Sequence, residues 1–240
     1  MFAEDEAALL VEAAGADGAA LDRLVAARVA GRPLEQLLGW VSFHGLRIAV
    51  EPDVFVPRRR TELLVRLSRP LLRPGSVLLE LCCGAGAVAC ALAAEVPGLQ
   101  VHAADLSAAA VRCARRNLPN ASVYQGDLYA PLPLALRGRV DVLVANAPYV
   151  PTEAIALMPP EARDHEPRLA LDGGPDGLDV QRRLIAGAAD WLAPDGWLLI
   201  ETGRAQAPVT AAAMSAAGLT ARIETDDDLD ATAVLGRRAV

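Results

Sequence analysis

The chain contains no lysine, and all 23 of its basic residues are arginine. The arginines are scattered along the sequence, apart from one dense cluster at Arg58, Arg59 and Arg60. Duplex DNA binding needs several phosphate contacts, and a chain with a formal net charge of −7 offers few groups to make them. The use of arginine alone therefore indicates a coding bias rather than a surface adapted to bind phosphate. DNA is not expected as a partner.

Cysteine and histidine are also scarce. No two cysteines show Cys-x-x-Cys spacing and the histidines lie far apart, whereas zinc ligands usually come in close pairs. We predict no metal site and expect free, mostly buried thiols. The residues in question are Cys82, Cys83, Cys90, Cys113, His44, His102 and His165.

Long apolar runs are missing too, and no run is long enough to span a bilayer. Residues 1–6 are acidic, unlike the basic start of a secretory signal, so we expect a cytoplasmic protein with no membrane partner. With 53% hydrophobic and 22% charged residues, the composition is typical of a packed globular protein. A length of 240 residues suits one large α/β domain with a short appendage.

The first sixty residues differ in pattern from the rest. Helical periodicity at residues 5–14 and 21–29 predicts two short helices, and alternation from Leu46 to Val50 predicts a strand of a hairpin. These elements are too small to form a core alone. We therefore divide the chain into a short N-terminal helical cap (1–38), a linker β-hairpin (39–60) and a large α/β domain (61–240).

After Pro74 and Gly75, short apolar strands alternate with helical patterns. This alternation predicts a mostly parallel, doubly wound α/β sheet covered by helices on both faces. The last two strands have no helix between them, which predicts an antiparallel edge hairpin. The seven predicted strands are Val77–Leu81, Leu99–Ala104, Ala121–Tyr124, Val140–Ala145, Trp197–Glu201, Leu219–Thr225 and Thr232–Arg238. Helices are predicted at Gly86–Val96, Asp179–Leu192 and Pro208–Ala217, among others.

The turn after the first parallel strand is the first candidate site. Its small residues let the main chain pass close to a ligand, and ligands bind outside the carboxyl ends of strands in open α/β sheets. A tight strand-to-helix turn without a ligand is the alternative interpretation. The candidate cofactor-binding residues here are Glu80, Cys82, Cys83, Gly84, Ala85 and Gly86.

Two carboxylates follow the next two strands. Asp105 is placed to accept both ribose hydroxyls of a nucleoside, or alternatively to cap the helix that begins near Ser107. Asp127 is placed where an adenine amino group could donate to it. A nicotinamide-dependent dehydrogenase would share the turn and Asp105, but it has no evident use for Asp127 or for the tetrapeptide after the fourth strand.

That tetrapeptide is Asn146-Ala147-Pro148-Tyr149, and it is the most specific signal in the chain. An amide or amino nitrogen is a weak nucleophile because its lone pair is delocalised. The Asn146 carboxamide and a neighbouring carbonyl can accept its two hydrogens, while Pro148 stiffens the turn and Tyr149 packs on the planar acceptor. Positioning of this kind needs no strong base. An ordinary loop is the alternative, but the motif predicts a methyltransferase that uses S-adenosylmethionine.

With these motifs the chain resembles the HemK/PrmC family of protein-(glutamine-N5) methyltransferases from about Gly31 onward. Further matching segments are Arg32–Leu34, Val54–Arg58 with Thr61 and Glu62, Glu166–Gly174, Asp176–Asp179, and Glu201–Gly203 with Gln206. The resemblance implies a Rossmann-like class I methyltransferase domain, S-adenosyl-L-methionine as cofactor and S-adenosyl-L-homocysteine as product. The implied partner is a protein with an exposed glutamine, by default the Gly-Gly-Gln loop of a translation release factor.

The resemblance also implies roles for individual residues. The turn from Glu80 to Gly86 would hold the methionine part of the cofactor, and Asp105 the ribose. Asp127 and the main chain of Leu128 would hold the adenine, with Leu106 and Asn146 also among the cofactor-binding residues. The tetrapeptide from Asn146 to Tyr149 would grip the glutamine. Phe55 would line the glutamine pocket or be a plain core residue, and Arg58 would serve the site or tie down the linker.

Three departures from the family pattern affect the interpretation. Ala147 stands where the family has proline, which keeps the carbonyl but loses some rigidity. Cys82 and Cys83 replace glycine and a small polar residue, although Gly84 and Gly86 remain. The helical segment at the N-terminus is shorter than the family's, and that segment helps to recognise the protein substrate. A distinct, smaller methylation target is therefore an alternative to the release factor.

Two alternatives to the whole reading remain. One is methylation of another amide or amino nitrogen, on a different protein, a small metabolite or a nucleic-acid adenine. The other is a non-catalytic cofactor-binding subunit, which would have no use for Asn146 and Tyr149.

Overall fold

The computed structural model describes residues 3–239, so Met1, Phe2 and Val240, which the predicted end segments include, lie outside it. Within that range, no helix is long and apolar enough to cross a membrane. The chain starts with a helical group followed by a hairpin, as predicted, while the division at residues 38 and 60 stays a prediction. These elements are α1 (Ala3–Ala14), α2 (Gly18–Val29), α3 (Leu34–Leu38), β1 (Trp40–Phe43) and β2 (Leu46–Ala49).

The N-terminal helices bury little apolar surface. Leu10 is buried, but Val11, Val25 and Val29 are exposed, although helical periodicity places them on the apolar faces of the two predicted helices. The reason is that α1 and α2 pack mainly on each other and on the five-residue α3, which is too small to cover both apolar faces.

The rest of the chain forms a seven-stranded sheet. Its strands are β3 (Val77–Leu81), β4 (Gln100–Asp105), β5 (Ser122–Gln125), β6 (Val140–Ala145), β7 (Leu192–Glu201), β8 (Leu219–Asp226) and β9 (Ala231–Arg238). Their order in the sheet is β5-β4-β3-β6-β7-β9-β8. Strands β3 to β7 are parallel, and β9 runs antiparallel to both β7 and β8, which confirms the predicted fold. The helices are α4 (Glu62–Ser68), α5 (Ala87–Glu95), α6 (Ala108–Asn117), α7 (Pro160–His165), α8 (Arg168–Leu171), α9 (Asp179–Trp191) and α10 (Ala207–Ala216).

Strand β7 begins five residues before its predicted start at Trp197. Leu192 already pairs with Val140, and the register then shifts before Trp197 pairs with Val142. Asp195, with a φ of 63°, interrupts the apolar pattern at this irregularity, which is why the first part of the strand carries no periodic signal.

Successive residues of the buried strand β3 serve different halves of the core. Leu78 belongs to the cluster beneath α4, α5 and α6, whereas Leu79 and Leu81 belong to the cluster beneath α9 and α10. Because side chains alternate between the faces of a strand, Glu80 points to the α5 side of the sheet. The carboxyl ends of the parallel strands meet at one edge.

Candidate active site

A cavity of about 650 Å³ opens at that edge. Strand β3 lies between β4 and β6, so the chain changes direction along the sheet there, and open α/β sheets bind ligands at such switch points. Of the predicted site residues, all but Gly86 line the cavity. Those that line it are Phe55, Glu80, Cys82, Cys83, Gly84, Ala85, Asp105, Leu106, Asp127, Leu128, Asn146, Ala147, Pro148 and Tyr149.

The turn after β3 follows a left-handed path. Cys82 has a φ of 54° and Gly84 a φ of 53°, and a Cβ added to Gly84 would meet no atom within 4 Å. Glycine at position 84 therefore keeps the main chain relaxed and open toward the cavity. Gly86 instead lies at the N-cap position just before α5, where a Cβ would lie 2.7 Å from Leu118 Cδ1, so its small size serves packing.

Cys82 and Leu128 are two of the non-glycine residues with positive φ, and both line the cavity. Left-handed backbone costs such residues free energy and persists only where the surrounding structure imposes it. Burial raises the pKa of the Cys82 thiol, and the carboxylate of Asp105 raises it further, so the thiol stays protonated. Among residues 3–239, no group of three or more His, Cys, Asp or Glu side chains is placed to hold a metal ion.

Glu80 reaches under the turn to the start of α5. Its Oε2 accepts a hydrogen bond of 2.9 Å from the main-chain N–H of Ala89. Gly86, at the N-cap position of α5, has no side chain to cap the helix, and Glu80 supplies an acceptor there from the neighbouring strand. Burial is the main cause that raises the pKa of Glu80 to about 8.

Asp105 joins the turn to the end of β4. Its Oδ2 accepts from the N–H of Gly84 at 2.8 Å, and its Oδ1 accepts from the N–H of Ser107 at 2.8 Å. Ser107, not Asp105, caps α6, because its side chain accepts from Ala110. Burial raises the pKa of Asp105 and these backbone hydrogen bonds oppose the rise. Each oxygen keeps a lone pair for a further donor.

Asp127 lines the cavity beside Arg183, an arginine that the sequence did not point to. Its Oδ2 is 2.5 Å from a guanidinium nitrogen of Arg183 on α9, and the Asp127 side chain is 46% exposed. This carboxylate is therefore already paired. Any adenine amino group would share it with Arg183 or bond the main chain nearby.

Asn146 leaves β6 with its amide turned in a defined direction. Its Nδ2 donates to Thr61 Oγ1 at 3.1 Å, and among the described residues no donor reaches its Oδ1. Ala147, the next residue, is fully buried. The Asn146 side chain thus presents an acceptor rather than a donor.

Tyr149 is held at both ends. Its hydroxyl donates to Glu201 Oε1 at 3.2 Å, and its carbonyl accepts from Gln206 Nε2 at 2.9 Å. Burial raises the pKa of the phenol, and the charge of Glu201 raises it further. A Cβ on Gly177 would lie 2.3 Å from the main-chain carbonyl oxygen of Tyr149, and one on Gly173 would lie 2.7 Å from that of Pro148. These glycines let the following segment pack against the main chain of the tetrapeptide.

Residues of the linker also line the cavity. Phe55 is half-buried and lines the cavity, so it is not a plain core residue. Arg58 lies 5.4 Å from the centre of the Phe55 ring and bonds the buried Glu166 at 2.8 Å, so it both lines the cavity and ties down the linker.

Sequence reasoning assigned no role to Thr61, Glu166, Arg183 or Glu201. Thr61 and Glu201 stand in segments that resemble the family, but nothing in their local pattern indicates that they meet the tetrapeptide. Their contacts cross 85 residues for Thr61 with Asn146 and 52 for Glu201 with Tyr149.

Comparison of the sequence with known proteins identifies the protein family to which the chain belongs. A family model described as a methyltransferase domain matches residues 78–164. The release factor glutamine methyltransferase of Geobacter sulfurreducens is 36% identical over 92% of this chain and 78% of its own length. That of Moorella thermoacetica is 41% identical over 86% of this chain and 73% of its own length.

Solved structures agree on the fold. A methyltransferase from Pyrococcus furiosus superposes with a TM-score of 0.62 at 18% identity, over 82% of this chain and 90% of that one. A ribosomal protein L11 methylase from Lactobacillus delbrueckii subsp. bulgaricus superposes with a TM-score of 0.58 at 16% identity, over 80% of this chain and 86% of that one. The structures show the fold alone, while the sequence relatives extend over most of both chains. The protein is a methyltransferase that belongs to the release factor glutamine methyltransferase family.

Proposed function

We propose that the enzyme transfers a methyl group from S-adenosylmethionine to the side-chain amide nitrogen (N5) of a protein glutamine. The default acceptor is a translation release factor, after the name that the relatives carry, and the Gly-Gly-Gln loop is the acceptor segment that the family resemblance implies. The observation that carries the proposal is the orientation of Asn146, whose Nδ2 is engaged by Thr61 so that its oxygen is left to accept.

The residues present fit the cofactor. Gly84 leaves open space beside the main chain, and both Asp105 oxygens keep acceptor capacity for the two hydroxyls of a ribose. Leu106 adds exposed apolar surface at the same strand end. A cavity of about 650 Å³ is within the range of small-molecule sites. In this proposal the Glu80–Gly86 turn holds the methionine part, Asp105 the ribose, and Asp127 with Leu128 the adenine.

Bound S-adenosylmethionine supplies an electrophilic methyl group on a sulfonium. The protein's own part is to hold the acceptor nitrogen. Asn146 Oδ1 and the Ala147 carbonyl accept its two N–H groups, which turns the lone pair toward the cofactor side of the cavity. As the new N–C bond forms, the bond from the methyl group to sulfur would break, and the methylated nitrogen, which is then positively charged and acidic, would release one proton to solvent. Positioned acceptors therefore suffice and no strong base is needed. Tyr149 stays protonated because of its raised pKa and serves as a neutral surface for the planar amide.

We also propose that the chain is organised as a helical cap (1–38), a linker hairpin (39–60) and a methyltransferase domain (61–240). In this organisation Asn117 of α6 joins the hairpin to the methyltransferase domain, because its side chain bonds both the N–H and the carbonyl of Ala49 at 2.9 Å. It also donates to the carbonyl of Ala85 at 2.8 Å. The hairpin is thereby tied to the turn that lines the cavity.

The test offers three acceptors in parallel with methyl-labelled cofactor. They are an intact release factor, its Gly-Gly-Gln to Gly-Gly-Ala variant, and single-stranded DNA. Label that enters only the intact factor, located at the glutamine by mass spectrometry, supports the proposal. Equal labelling of both factor forms, or none in either, refutes the acceptor, and labelled DNA refutes the glutamine assignment as a whole.

A further inference from the structure

The main-chain carbonyl of Tyr149 marks the end of the tetrapeptide. Directly beyond it the chain is fixed by pairing, because the N–H of Val150 donates to the carbonyl of Leu171 at 3.0 Å. The carbonyl of Val150 in turn accepts from the N–H of Gly173 at 2.9 Å. The Tyr149 carbonyl itself bonds a side chain that the mechanism does not use, that of Gln206.

Gln206 joins three segments at the carboxyl edge of the sheet. It is half-buried and directly precedes α10. Its Nε2 donates to the carbonyl oxygen of Tyr149 at 2.9 Å and to that of Asp176 at 3.0 Å, and its Oε1 accepts from the N–H of Gly203 at 3.2 Å. One side-chain amide therefore links the tetrapeptide to the loop before α9 and to the turn after β7.

The main chain decides which way the Gln206 amide faces. A carbonyl only accepts and a main-chain N–H only donates, so the two carbonyls face Nε2 and Gly203 faces Oε1. Turning the amide over would set its oxygen against two oxygens and its NH₂ against an N–H. Since none of these three main-chain partners titrates, the orientation does not depend on the protonation state of a neighbour.

Two glycines make room for this amide. A Cβ on Gly177 would lie 2.4 Å from Gln206 Nε2, and a Cβ on Gly203 would lie 2.7 Å from Gln206 Oε1. Gly177 also has a φ of 79°, which favours glycine. The main chain thus approaches both ends of the amide more closely than a residue with a side chain would allow.

We propose that Gln206 is a positioning residue for methyl transfer, which fixes the peptide unit after Tyr149 and with it the placement of the Tyr149 ring beside the acceptor amide. The inference rests on the proposed function. Gln206 does not line the cavity, so it acts on the reaction through the main chain of Tyr149. The hydroxyl of Tyr149 bonds Glu201, and the bond from Gln206 holds the other end of the same residue.

Two substitutions at Gln206 and one elsewhere test this role. Gln206→Met keeps the length of the side chain and removes all three hydrogen bonds. Gln206→Glu can keep the bond from Gly203 but sets an oxygen against the two carbonyls, and only the protonated carboxyl, which forms as pH falls toward about 5, can donate to one of them. Gln100→Glu is the matched control, because Gln100 Nε2 also donates to a main-chain carbonyl, that of Gly75 at 3.2 Å, at the amino ends of the strands.

Charged groups near Tyr149 and Gln206 are the same in the parent and in all variants. Glu201, Arg60 and Arg58 lie near the Tyr149 side chain, and the carboxylate of Asp176 pairs with Arg182. Each variant is therefore compared with the parent at the same pH, so that titration of these groups cancels.

Two readouts apply to each variant, together with cofactor affinity as a check that the site is folded. One is the ring signal of Tyr149 in spectra of the free enzyme labelled with ¹³C-tyrosine, identified by its absence from Tyr149→Phe. The other is the single-turnover rate of methyl transfer with saturating cofactor. At about pH 7.5 we expect both Gln206 variants to move the signal and to lower the rate about tenfold or more, with affinity within about twofold of the parent. At about pH 5 only Gln206→Glu should recover toward the parent, and Gln100→Glu should match the parent throughout.

The outcomes separate this inference from the proposed function. Unmoved Tyr149 signals in both Gln206 variants would overturn the positioning role, even if glutamine is methylated. Moved signals with an unchanged rate would overturn it as well, and so would a Gln206→Glu rate that stays equally far below the parent at both pH values. If the parent enzyme labels no glutamine at all, the proposed function fails, while the Tyr149 signals still decide whether Gln206 fixes that residue.

Discussion

The buried carboxyl of Glu80 makes the stability of this enzyme depend on pH in a particular direction. Glu80 is 5% exposed, and burial, with a smaller contribution from the charge of Asp105, raises its pKa from 4.5 to about 8. Hydrogen bonds from the N–H groups of Ala89 and Val88 oppose that rise. Between these two pH values the folded chain holds a proton that the unfolded chain has released. The stability that the protonated Glu80 carboxyl contributes is therefore fully present below pH 4.5, and it is lost as pH rises toward 8.

The size of the effect follows from linkage. One proton of difference changes the free energy of unfolding by about 1.4 kcal/mol per pH unit, so Glu80 alone accounts for a loss of about 3 kcal/mol between pH 5 and pH 7. Urea unfolding across pH 5 to 8 measures it, with Glu80→Gln as the variant that cannot titrate. We expect the free energy of unfolding of the parent to fall with pH relative to that of the variant.

An exposed carboxyl is the control for that experiment. Glu153 lies on the surface, and Glu153→Gln should leave the pH dependence of the parent unchanged. A constant difference between the parent and Glu80→Gln from pH 5 to 8 would refute the reasoning, because it would mean that the carboxyl ionises equally in the folded and unfolded states.

Three further substitutions test the site. Asp105→Ala removes two charge-assisted hydrogen bonds to the proposed ribose, each worth roughly 1.5–3 kcal/mol, so calorimetry should show at least a tenfold weaker affinity for S-adenosylmethionine; unchanged affinity contradicts the assignment. Asn146→Ala should leave cofactor affinity nearly intact and lower the single-turnover rate about a hundredfold or more, and a rate within about threefold of the parent contradicts its role. Gly177→Ala forces a Cβ to 2.3 Å from the Tyr149 oxygen, so it should lower both the melting temperature and turnover. Gly138→Ala, where φ is 69° but a Cβ meets nothing within 4 Å, should lower the melting temperature less and leave turnover unchanged.

Local sequence determined most of the fold and the position of the cavity. The apolar run from Val140 to Ala145 predicted strand β6 with the bounds that the structure has. A buried parallel strand must deliver the next residues to the carboxyl edge of the sheet, so the position of Asn146 followed from its place in the chain. Gly84 was identified in the same way, because a turn that follows a buried strand and must admit a ligand requires a residue without a side chain. The apolar pattern and the place of a residue in the chain were sufficient in these cases, because the structure of a strand and of the turn after it depends on only a few neighbouring residues.

Only the tertiary structure decided which side chains act together. Thr61 meets Asn146, and Arg183 pairs with Asp127, across 85 and 56 residues. Glu201 ends a strand whose apolar pattern gives no hint that its last carboxyl turns toward Tyr149. Such contacts leave no periodic trace in the sequence, because they depend on how the linker and helices are packed over the sheet edge. The identity of a hydrogen-bond partner is a property of the packed arrangement, and the short-range pattern carries only the position at which a partner will be needed.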